Sequence, residues 1–247
     1  MMYKIYVAAV EPLMEDEFYQ KALSIVGKDR REKIKKLLRR GDQARSAAAG
    51  LLFRYALEEW TKERAAADGK GAGNYRLRQD AYVWDGSCII GEHGKPMLPK
   101  ELGLYFNLSH SGDYALCAVS GREIGADIQR HEKHADRLAE RFFHPEELAY
   151  LKEAKDSKRC FYDIWCLKES CIKCTGRGLS TGLEKFSVVP FFYGEEITLD
   201  GVRCVGERAP AYTQVDLKDL GETDRKEAVE GYSMAVVELA ETVFDEE

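Results

Sequence analysis

The sequence lacks several features that would place it in a specialised class of protein. It has no run of about 18 apolar residues, so no membrane-spanning helix is predicted. Residues 1–7 alternate as a strand does and lack the apolar core of a signal peptide. No GxSxG motif is present, so a nucleophile elbow is not predicted. These absences favour a cytoplasmic protein without a membrane partner.

The cysteines lack the spacing that would indicate a disulfide framework or a metal site. The seven cysteines are an odd number and lie scattered through helix-like and strand-like stretches. Reduced thiols are therefore expected rather than a disulfide framework. Cys166, Cys171 and Cys174 have irregular spacing with no second pair nearby, so structural or idle thiols are favoured over a zinc site.

Positive charge is concentrated in one segment, although the net charge of the chain is −6. Residues 28–45 hold nine Lys and Arg against three Asp and Glu. Such a run is usually a solvated face, but a cluster of this kind could hold a polyanionic ligand or an acidic partner. Nucleic acid is the least favoured partner because the run has no interleaved aromatics and the chain is acidic overall.

The hydrophobic pattern predicts a mixture of helices and strands, and therefore the α+β class. Helices are predicted over residues 15–26, 29–38, 42–64 and 160–174, and Asp42 is the predicted N-cap of the third. A further helix is predicted to begin at Pro145, and His144 before it is predicted to be a capping or loop residue. Strands are predicted over residues 1–7, 82–84, 88–90, 105–108, 114–119, 124–129, 186–190, 197–199, 211–217 and 232–237. Similar strands near 114 and 232 indicate two related halves, residues 1–121 and 122–247.

Three segments carry the candidate chemistry. The first is Ser109-His110-Ser111, predicted as a turn after an apolar strand, where binding of phosphate or ordering of the turn is favoured over nucleophilic catalysis. In the second, Asp127 and Gln129 fall on one face of a strand and could share a hard cation. For Asp127 alone, an exposed strand face is the simpler interpretation.

The third segment is the helix that contains Trp165, Glu169 and Lys173, which are spaced four residues apart and therefore share one face. A surface ion pair worth a few tenths of a kcal/mol is one interpretation. The other is a joint site for a metal ion and a phosphate, with Lys168 adjacent and a glycine-containing basic loop following the helix. The helix alone does not decide between them.

Taken together, five motifs resemble those of one enzyme family. They are Gly94-Lys95-Pro96, Asn107-Leu108-Ser109-His110-Ser111, Gly125-Ala126-Asp127-Ile128, Arg141-Phe142-Phe143, and Trp165-Cys166-Leu167-Lys168-Glu169-Ser170 followed by Lys173 and Gly176-Arg177-Gly178-Leu179. In order and spacing they resemble the 4′-phosphopantetheinyl transferases of the surfactin-synthetase-activating (Sfp) type. The resemblance implies a phosphopantetheinyl transferase fold of two similar α/β halves related by a pseudo-twofold axis.

The resemblance also implies a reaction. The 4′-phosphopantetheine arm of coenzyme A would pass to a serine of an apo-carrier protein, with Mg²⁺ bound between the halves and 3′,5′-ADP released. The nucleotide would lie with the first half and the metal with the second. The remaining alternative is a non-catalytic module that binds coenzyme A or carrier proteins.

Residue roles follow from the matched motifs. Asp127 and Glu169 are the implied metal ligands, and Glu169 is also the implied base for the carrier serine. Similar enzymes usually have a second acidic residue where this chain has Gln129, whose amide oxygen could ligate magnesium directly, through water, or not at all. Lys168 and Lys173 would neutralise the developing phosphate charge.

The resemblance distributes the rest of the coenzyme A site over both halves. The implied contacts are Arg30, Lys33, Arg45 and His110 to the 3′-phosphate, Lys95 and Pro96 to adenine, and Ser109, Asp127 and Lys173 near the other phosphates. An acidic acyl, peptidyl or aryl carrier protein is the implied partner of a monomeric enzyme. Phe142-Phe143 and the loop at residues 176–179 are candidate docking surfaces for it.

Overall fold

The computed structural model describes residues 3–67, 88–132, 136–178, 182–226 and 229–240. The strand predicted at residues 82–84 and most of the loop predicted at residues 65–79 lie outside these ranges. Within them the chain combines helices and sheets, which confirms the predicted α+β class. No helix in these ranges is long and apolar enough to cross a membrane.

The helices and strands are numbered in chain order. The helices are α1 (Asp16–Ile25), α2 (Lys28–Lys35), α3 (Arg40–Ala67), α4 (Asp136–Phe142), α5 (Pro145–Glu153) and α6 (Ser157–Thr175). The strands are β1 (Tyr3–Ala9), β2 (Ile89–Ile90), β3 (Pro96–Met97), β4 (Tyr105–Ser111), β5 (Tyr114–Ser120), β6 (Ile124–Arg130), β7 (Ile197–Leu199), β8 (Val202–Arg208), β9 (Tyr212–Asp216), β10 (Gly221–Lys226) and β11 (Tyr232–Leu239).

The first sheet has the strand order β10-β9-β1-β5-β4. Its strand β1 pairs antiparallel with β5 and parallel with β9. Two strands from the second predicted half, β9 and β10, therefore complete the sheet of the first half. The division at residues 121 and 122 stays a prediction, and the pairing of β9 with β1 crosses it.

Helix α3 covers one face of the first sheet. Five of the residues predicted to face inward are fully or almost fully buried in this core: Ala48, Leu51, Leu52, Tyr55 and Ala56. Trp60 packs against the same core and is partly buried. The helix begins at Arg40, so Asp42 lies in its first turn and the N-cap prediction is wrong. An acidic residue in the first turn still complements the helix dipole.

The second sheet has the order β6-β11-β8-β7, and α6 lies on its outer face. The inner faces of the two sheets pack against each other through a layer of alternating apolar residues: Ile5, Val7, Leu116 and Ala118 from the first sheet with Ile124, Ala126, Ile128, Met234 and Val236 from the second. The two sheets are therefore sandwiched between helices, with β4 and β6 as neighbouring edge strands.

Three local predictions differ from the structure. Ser109, His110 and Ser111 belong to β4 itself, and the turn follows at Gly112 and Asp113. β2 pairs with β3, a strand that was not predicted, across a turn at residues 91–95. Strands β8 and β10 were not predicted, because their residues are rich in charge and each strand contains a glycine.

The strand predicted over residues 186–190 is also wrong, because this segment leads into a 3₁₀ helix at Val189–Tyr193. The Phe186 carbonyl and the Val188 N–H are bonded to buried side chains rather than to a neighbouring strand. Pro190 has no N–H for a ladder. In contrast, His144 is the N-cap of α5, as predicted, and its ring nitrogen accepts a hydrogen bond from the Glu146 N–H.

Candidate active site

The edge strands β4 and β6 are joined by side chains rather than by a backbone ladder. Every second residue of β4 presents an oxygen that accepts a hydrogen bond from every second N–H of β6. The pairs are Asn107 Oδ1 with Ala126 N (3.2 Å), Ser109 Oγ with Ile128 N (3.4 Å) and Ser111 Oγ with Arg130 N (3.1 Å). We call these three side chains the latch. It brings the Ser-His-Ser segment beside the strand that carries Asp127.

Gly125 allows α6 to approach β6 at backbone distance. A Cβ atom at this position would lie 2.0 Å from the Ser170 carbonyl oxygen and 2.3 Å from the Cys174 N. Any larger side chain would therefore push the helix away. The Ser170 hydroxyl also donates to the Ala235 carbonyl on β11, 3.1 Å away. This contact places the Glu169 and Lys173 face of α6 over the edge of the second sheet.

Asp127 is the centre of the site and is only 5% exposed. Its Oδ1 accepts hydrogen bonds from Ser109 Oγ and from Lys173 Nζ, both at 2.6 Å. Lys173 Nζ also donates to Ser109 Oγ and to the Ala126 carbonyl, both at 3.2 Å. The helix, β6 and β4 thus meet in one hydrogen-bonded group. The interpretation of Asp127 as part of an exposed strand face is excluded by its burial.

Glu169 lies half-buried beside this group. Burial raises the pKa of its carboxyl group, the negative charge of Asp127 raises it further, and Lys173 partly offsets the shift. Gln129 follows Asp127 on the same face of β6 and is partly exposed. Within the described ranges, neither the Glu169 carboxylate nor the Gln129 amide makes a side-chain hydrogen bond. Both have oxygen atoms available to a ligand.

The chemistry of these oxygens fits a hard divalent cation. Magnesium in proteins is commonly held by one or two carboxylates together with substrate phosphates. Asp127 and Glu169 repel each other, as the pKa of Glu169 indicates, and a cation between them would relieve the repulsion. The described residues contain no group of three or more His, Cys, Asp or Glu side chains placed to hold a metal. Gln129 is the nearest third protein ligand that the strand offers.

A cluster of cations faces the other side of β4. The pKa of His110 is lowered, first by loss of hydration and then by the positive charges of Arg45, Lys173 and Arg30. Burial and the charge of Arg30 lower the pKa of Lys33 in the same way. The structure therefore brings together the four residues that the resemblance implies for the 3′-phosphate.

Arg45 is held in place within this cluster. Its guanidinium donates to the Gly112 carbonyl at 3.1 Å and to Asp42 Oδ1 at 2.5 Å. The first bond ties α3 to the turn directly after β4, close to His110. Asp42 offsets the charge of Arg45, but Arg30 and Lys33 add two further positive charges. The cluster therefore keeps a net positive charge that suits a polyanion.

Lys95 has a different setting from the other lysines. Its Nζ donates to Glu123 Oε2 at 2.6 Å, to the Cys174 carbonyl at 2.9 Å and to the Ile124 carbonyl at 3.3 Å. The ammonium group thus fastens the β2–β3 hairpin to the C-terminal end of α6, where a cation complements the helix dipole. Lys95 and the neighbouring Pro96 both line a cavity of about 450 Å³ with largely apolar walls.

Lys168 lies away from the site, and its predicted contact with phosphates is therefore not supported. It is completely buried, and its Nζ donates to Glu147 Oε1 and to the Phe186 carbonyl, both at 2.6 Å. Glu147 is equally buried and also accepts from the N–H groups of His144 and Val188. Neighbouring residues on a helix point about 100° apart, so Lys168 and Glu169 serve different faces.

One candidate docking surface also needs correction. Phe143 is only 3% exposed and stacks on Phe161, so it is a core residue. Phe142 is partly buried and packs edge-on against Trp165. The predicted surface loop at residues 176–179 is described only as far as Gly178, and Leu179 lies outside the described residues.

Sequence reasoning gave no tertiary role to Asn107, Gly125 or Glu147, and it took Ser111 for a turn residue. Asn107 and Ser111 alternate with Leu108 and His110 along a strand, and that period of two could have indicated a second polar face on β4. A glycine within a strand could have indicated a close backbone approach at Gly125. Glu147 gave no signal beyond its place in the first turn of a helix.

Comparisons with known proteins identify the family to which the chain is similar. A family model for the 4′-phosphopantetheinyl transferase superfamily matches residues 123–236, which include Asp127, Glu169 and Lys173. A 4′-phosphopantetheinyl transferase of Bacillus subtilis is 30% identical over 187 residues, covering 75% of each chain. The 4′-phosphopantetheinyl transferase Sfp of Bacillus subtilis strain 168 is 29% identical over the same shares. The 4′-phosphopantetheinyl transferase HetI of Nostoc is 42% identical over 95 residues, 35% of this chain and 40% of that protein.

Proposed function

Because the chain belongs to the 4′-phosphopantetheinyl transferase superfamily, we propose that it transfers the 4′-phosphopantetheine arm of coenzyme A to a serine of an apo-carrier protein. The serine oxygen forms a bond to the phosphorus that carries the arm, the bond to the bridging oxygen breaks, and 3′,5′-ADP leaves. The observation that carries the proposal is the meeting of Asp127, Glu169 and Lys173 beside a cationic cluster.

The cationic cluster is suited to the 3′-phosphate of coenzyme A. Two helices and a strand of the first-sheet side contribute the cluster, which consists of Arg30, Lys33, Arg45 and His110. The charges of Arg45 and Arg30 lower the pKa of His110, and the charge of Arg30 lowers the pKa of Lys33. A phosphate dianion placed there would neutralise charges that repel one another in the free protein. We assign the adenine to the apolar cavity beside Pro96, with Lys95 holding the hairpin rather than the base.

Asp127 and Glu169 would hold a magnesium ion, with Gln129 as a third ligand directly or through water, and the ion would supply charge neutralisation at the pyrophosphate. Lys173 would contact the same phosphates and stabilise the charge that develops on the leaving group. Asp127 keeps Lys173 oriented through the 2.6 Å hydrogen bond in the free protein.

Glu169 is the group that we assign as the general base. A raised pKa makes its carboxylate a stronger acceptor for the proton of the carrier serine than an ordinary surface glutamate. The proton moves to Glu169 as the serine oxygen bonds to phosphorus. Lys168, which is buried in an ion pair, takes no part in this step.

The partner that suits the charge pattern is an acidic carrier protein. Most side chains of α2 and of the segment that follows it are basic and remain exposed or partly exposed, which would steer an acidic surface towards the neighbouring site. We further propose that the protein acts as a monomer in the cytoplasm, in keeping with its seven free cysteines.

The experiment that tests this function is direct. Purified protein is incubated with several unrelated apo-carrier proteins, coenzyme A and Mg²⁺, and the intact mass of each carrier is measured. At least one carrier should gain the phosphopantetheine group, and 3′,5′-ADP should appear in equal amount. If none gains mass while a known transferase modifies the same carriers, the proposal is wrong.

The departure at Gln129 favours one alternative, a module that binds coenzyme A without turnover. Calorimetry with coenzyme A separates the two functions. Tight binding combined with no transfer in the presence of Mg²⁺ or Mn²⁺ would favour the binding module.

A further inference from the structure

We propose that Ser111 and Asn107 are positioning residues that hold the two ligand-binding sides of the site in register. Ser109 belongs to the same latch but also contacts Asp127 directly, so the inference concerns the two outer members. The inference rests on the proposed function, which assigns the 3′-phosphate to the side of the first sheet and the metal ion to the side of the second sheet.

The need for the latch follows from the position of β6. In an antiparallel pair, alternate N–H groups of a strand point to its partner and the others point away. β6 pairs with β11 on one side only, so its outward N–H groups at Ala126, Ile128 and Arg130 require other acceptors. The oxygens of Asn107, Ser109 and Ser111 supply them at the same two-residue period.

This arrangement fixes the register of β4 against β6. A shift by one residue would turn all three oxygens away from β6, because successive side chains of a strand point to opposite faces. The apolar layer between the sheets is less selective, because the hydrophobic effect is non-directional. The latch is therefore a directional contact at this edge of the molecule, next to the bonds of Asp113 in the following turn to Tyr232 and Arg130.

The register matters because β4 carries different chemistry on its two faces. His110 points to the cationic cluster of the first-sheet side, while Ser109 bonds to Asp127 on the second sheet. A ligand that spans both regions requires a fixed distance between them. A displacement of about 1 Å at a reacting centre can cost about 100-fold in rate.

The test compares Ser111→Ala with Ser111→Thr, which keeps the hydroxyl oxygen, and with a matched control at Ser120. The Ser120 hydroxyl also bridges the two sheets, because it donates to Glu238 on β11, but it lies at the opposite end of the strands. Ser120→Ala therefore removes an inter-sheet contact without touching the latch. Transfer kinetics are measured with a carrier that the wild type modifies, and calorimetry gives the affinity for 3′,5′-ADP.

We expect Ser111→Ala to lower kcat about 10-fold while the affinity for 3′,5′-ADP, which contacts mainly the first-sheet side, stays within about twofold. Ser111→Thr and Ser120→Ala should keep kcat within about threefold of wild type. A kcat for Ser111→Ala within about twofold of wild type would overturn the proposal. Equal losses in Ser111→Ala and Ser120→Ala would overturn it as well.

A second measurement separates this inference from the transferase activity itself. Hydrogen exchange of the Arg130 amide should be at least about 10-fold faster in Ser111→Ala than in wild type, and unchanged in Ser120→Ala. Unchanged exchange at Arg130 would refute the latch even if the enzyme is active. Absence of transfer by the wild type would instead count against the proposed function.

Discussion

Lys173 on α6 donates a hydrogen bond to Asp127 on β6 over 2.6 Å, and the pair is only partly open to solvent. These two residues lie 46 positions apart in the sequence and come from the two elements that carry the strongest motifs. Their contact converts two ambiguous patterns, a helical ion pair and a polar strand face, into one site.

Replacement of Glu169 by Gln should reduce transfer by about 1,000-fold, because the variant loses the base and one of the two charged metal ligands. The pKa of Glu169 is raised, so its ionised form is disfavoured in the folded protein. That penalty is present above the folded-state pKa and disappears as the pH falls below the unfolded value. The variant should therefore unfold at a higher urea concentration than wild type at pH 7.5, with a smaller difference at pH 4.5.

Transfer assays and urea unfolding at the two pH values check this expectation. Glu153→Gln, at an exposed position on α5, is the control and should change neither property. Retained transfer in Glu169→Gln would remove Glu169 from the mechanism.

Replacement of Gly125 by Ala should destabilise the protein by about 3 kcal/mol or more and impair transfer, because the new Cβ overlaps the α6 backbone. Gly121→Ala is the matched control, since the nearest atom to its Cβ is 4.0 Å away on Trp60. The control should change the free energy of unfolding by less than about 0.5 kcal/mol. Similar losses in the two variants, measured by denaturant unfolding, would contradict the close approach at Gly125.

Replacement of Lys168 by Met should lower the free energy of unfolding by about 3–5 kcal/mol, because it leaves the Glu147 carboxylate buried without its partner. The double variant Lys168→Met with Glu147→Leu should lose less stability than the sum of the two single variants. Transfer per folded molecule should fall by no more than about threefold in the double variant. A loss of transfer of about 100-fold or more in the double variant would indicate that Lys168 takes part in catalysis.

Binding of 3′,5′-ADP should be linked to the protonation of His110. The lowered pKa leaves His110 neutral at pH 7.5, and a bound phosphate would raise that pKa, so binding takes up a proton. Affinity should therefore rise as the pH falls from 7.5 to 6.0. In His110→Asn this rise in affinity should be smaller. Affinity is measured by calorimetry on both proteins, and because the ligand phosphate titrates equally in both experiments, the difference between the two pH profiles reports on His110. Identical pH profiles would exclude His110 from the phosphate site.

Replacement of Gln129 by Glu should strengthen metal binding by about 10-fold, because a third charged ligand adds to Asp127 and Glu169. Titration with Mn²⁺, followed by electron paramagnetic resonance, measures this without any transfer reaction. Gln20→Glu adds the same charge on the exposed face of α1 and should leave the affinity unchanged. Equal affinities of Gln129→Glu and wild type would place residue 129 outside the metal site.

Much of the fold and of the site could be read from local patterns. The four-residue spacing of Glu169 and Lys173 placed them on one helix face, and the two-residue spacing of Asp127 and Gln129 placed them on one strand face. Both relations depend only on helix and strand geometry. The inward face of α3 was predictable for the same reason. The burial of Lys168 was not predictable, because helical periodicity does not reveal which polar residue pairs with a distant partner such as Glu147 in the core.

The sequence by itself determined most of the helices and strands, the faces of the motif residues and the family resemblance, because these depend on periodicity and on short-range spacing. Only the tertiary structure decided which faces meet. The contact of α6 with β6 depends on the missing Cβ of Gly125, and the meeting of β4 with β6 depends on outward N–H groups that a single-sided strand leaves unpaired. Such contacts join residues far apart in the chain, and no local pattern fixes their distance. For that reason Asp127 and Lys173 became one site only in the folded protein.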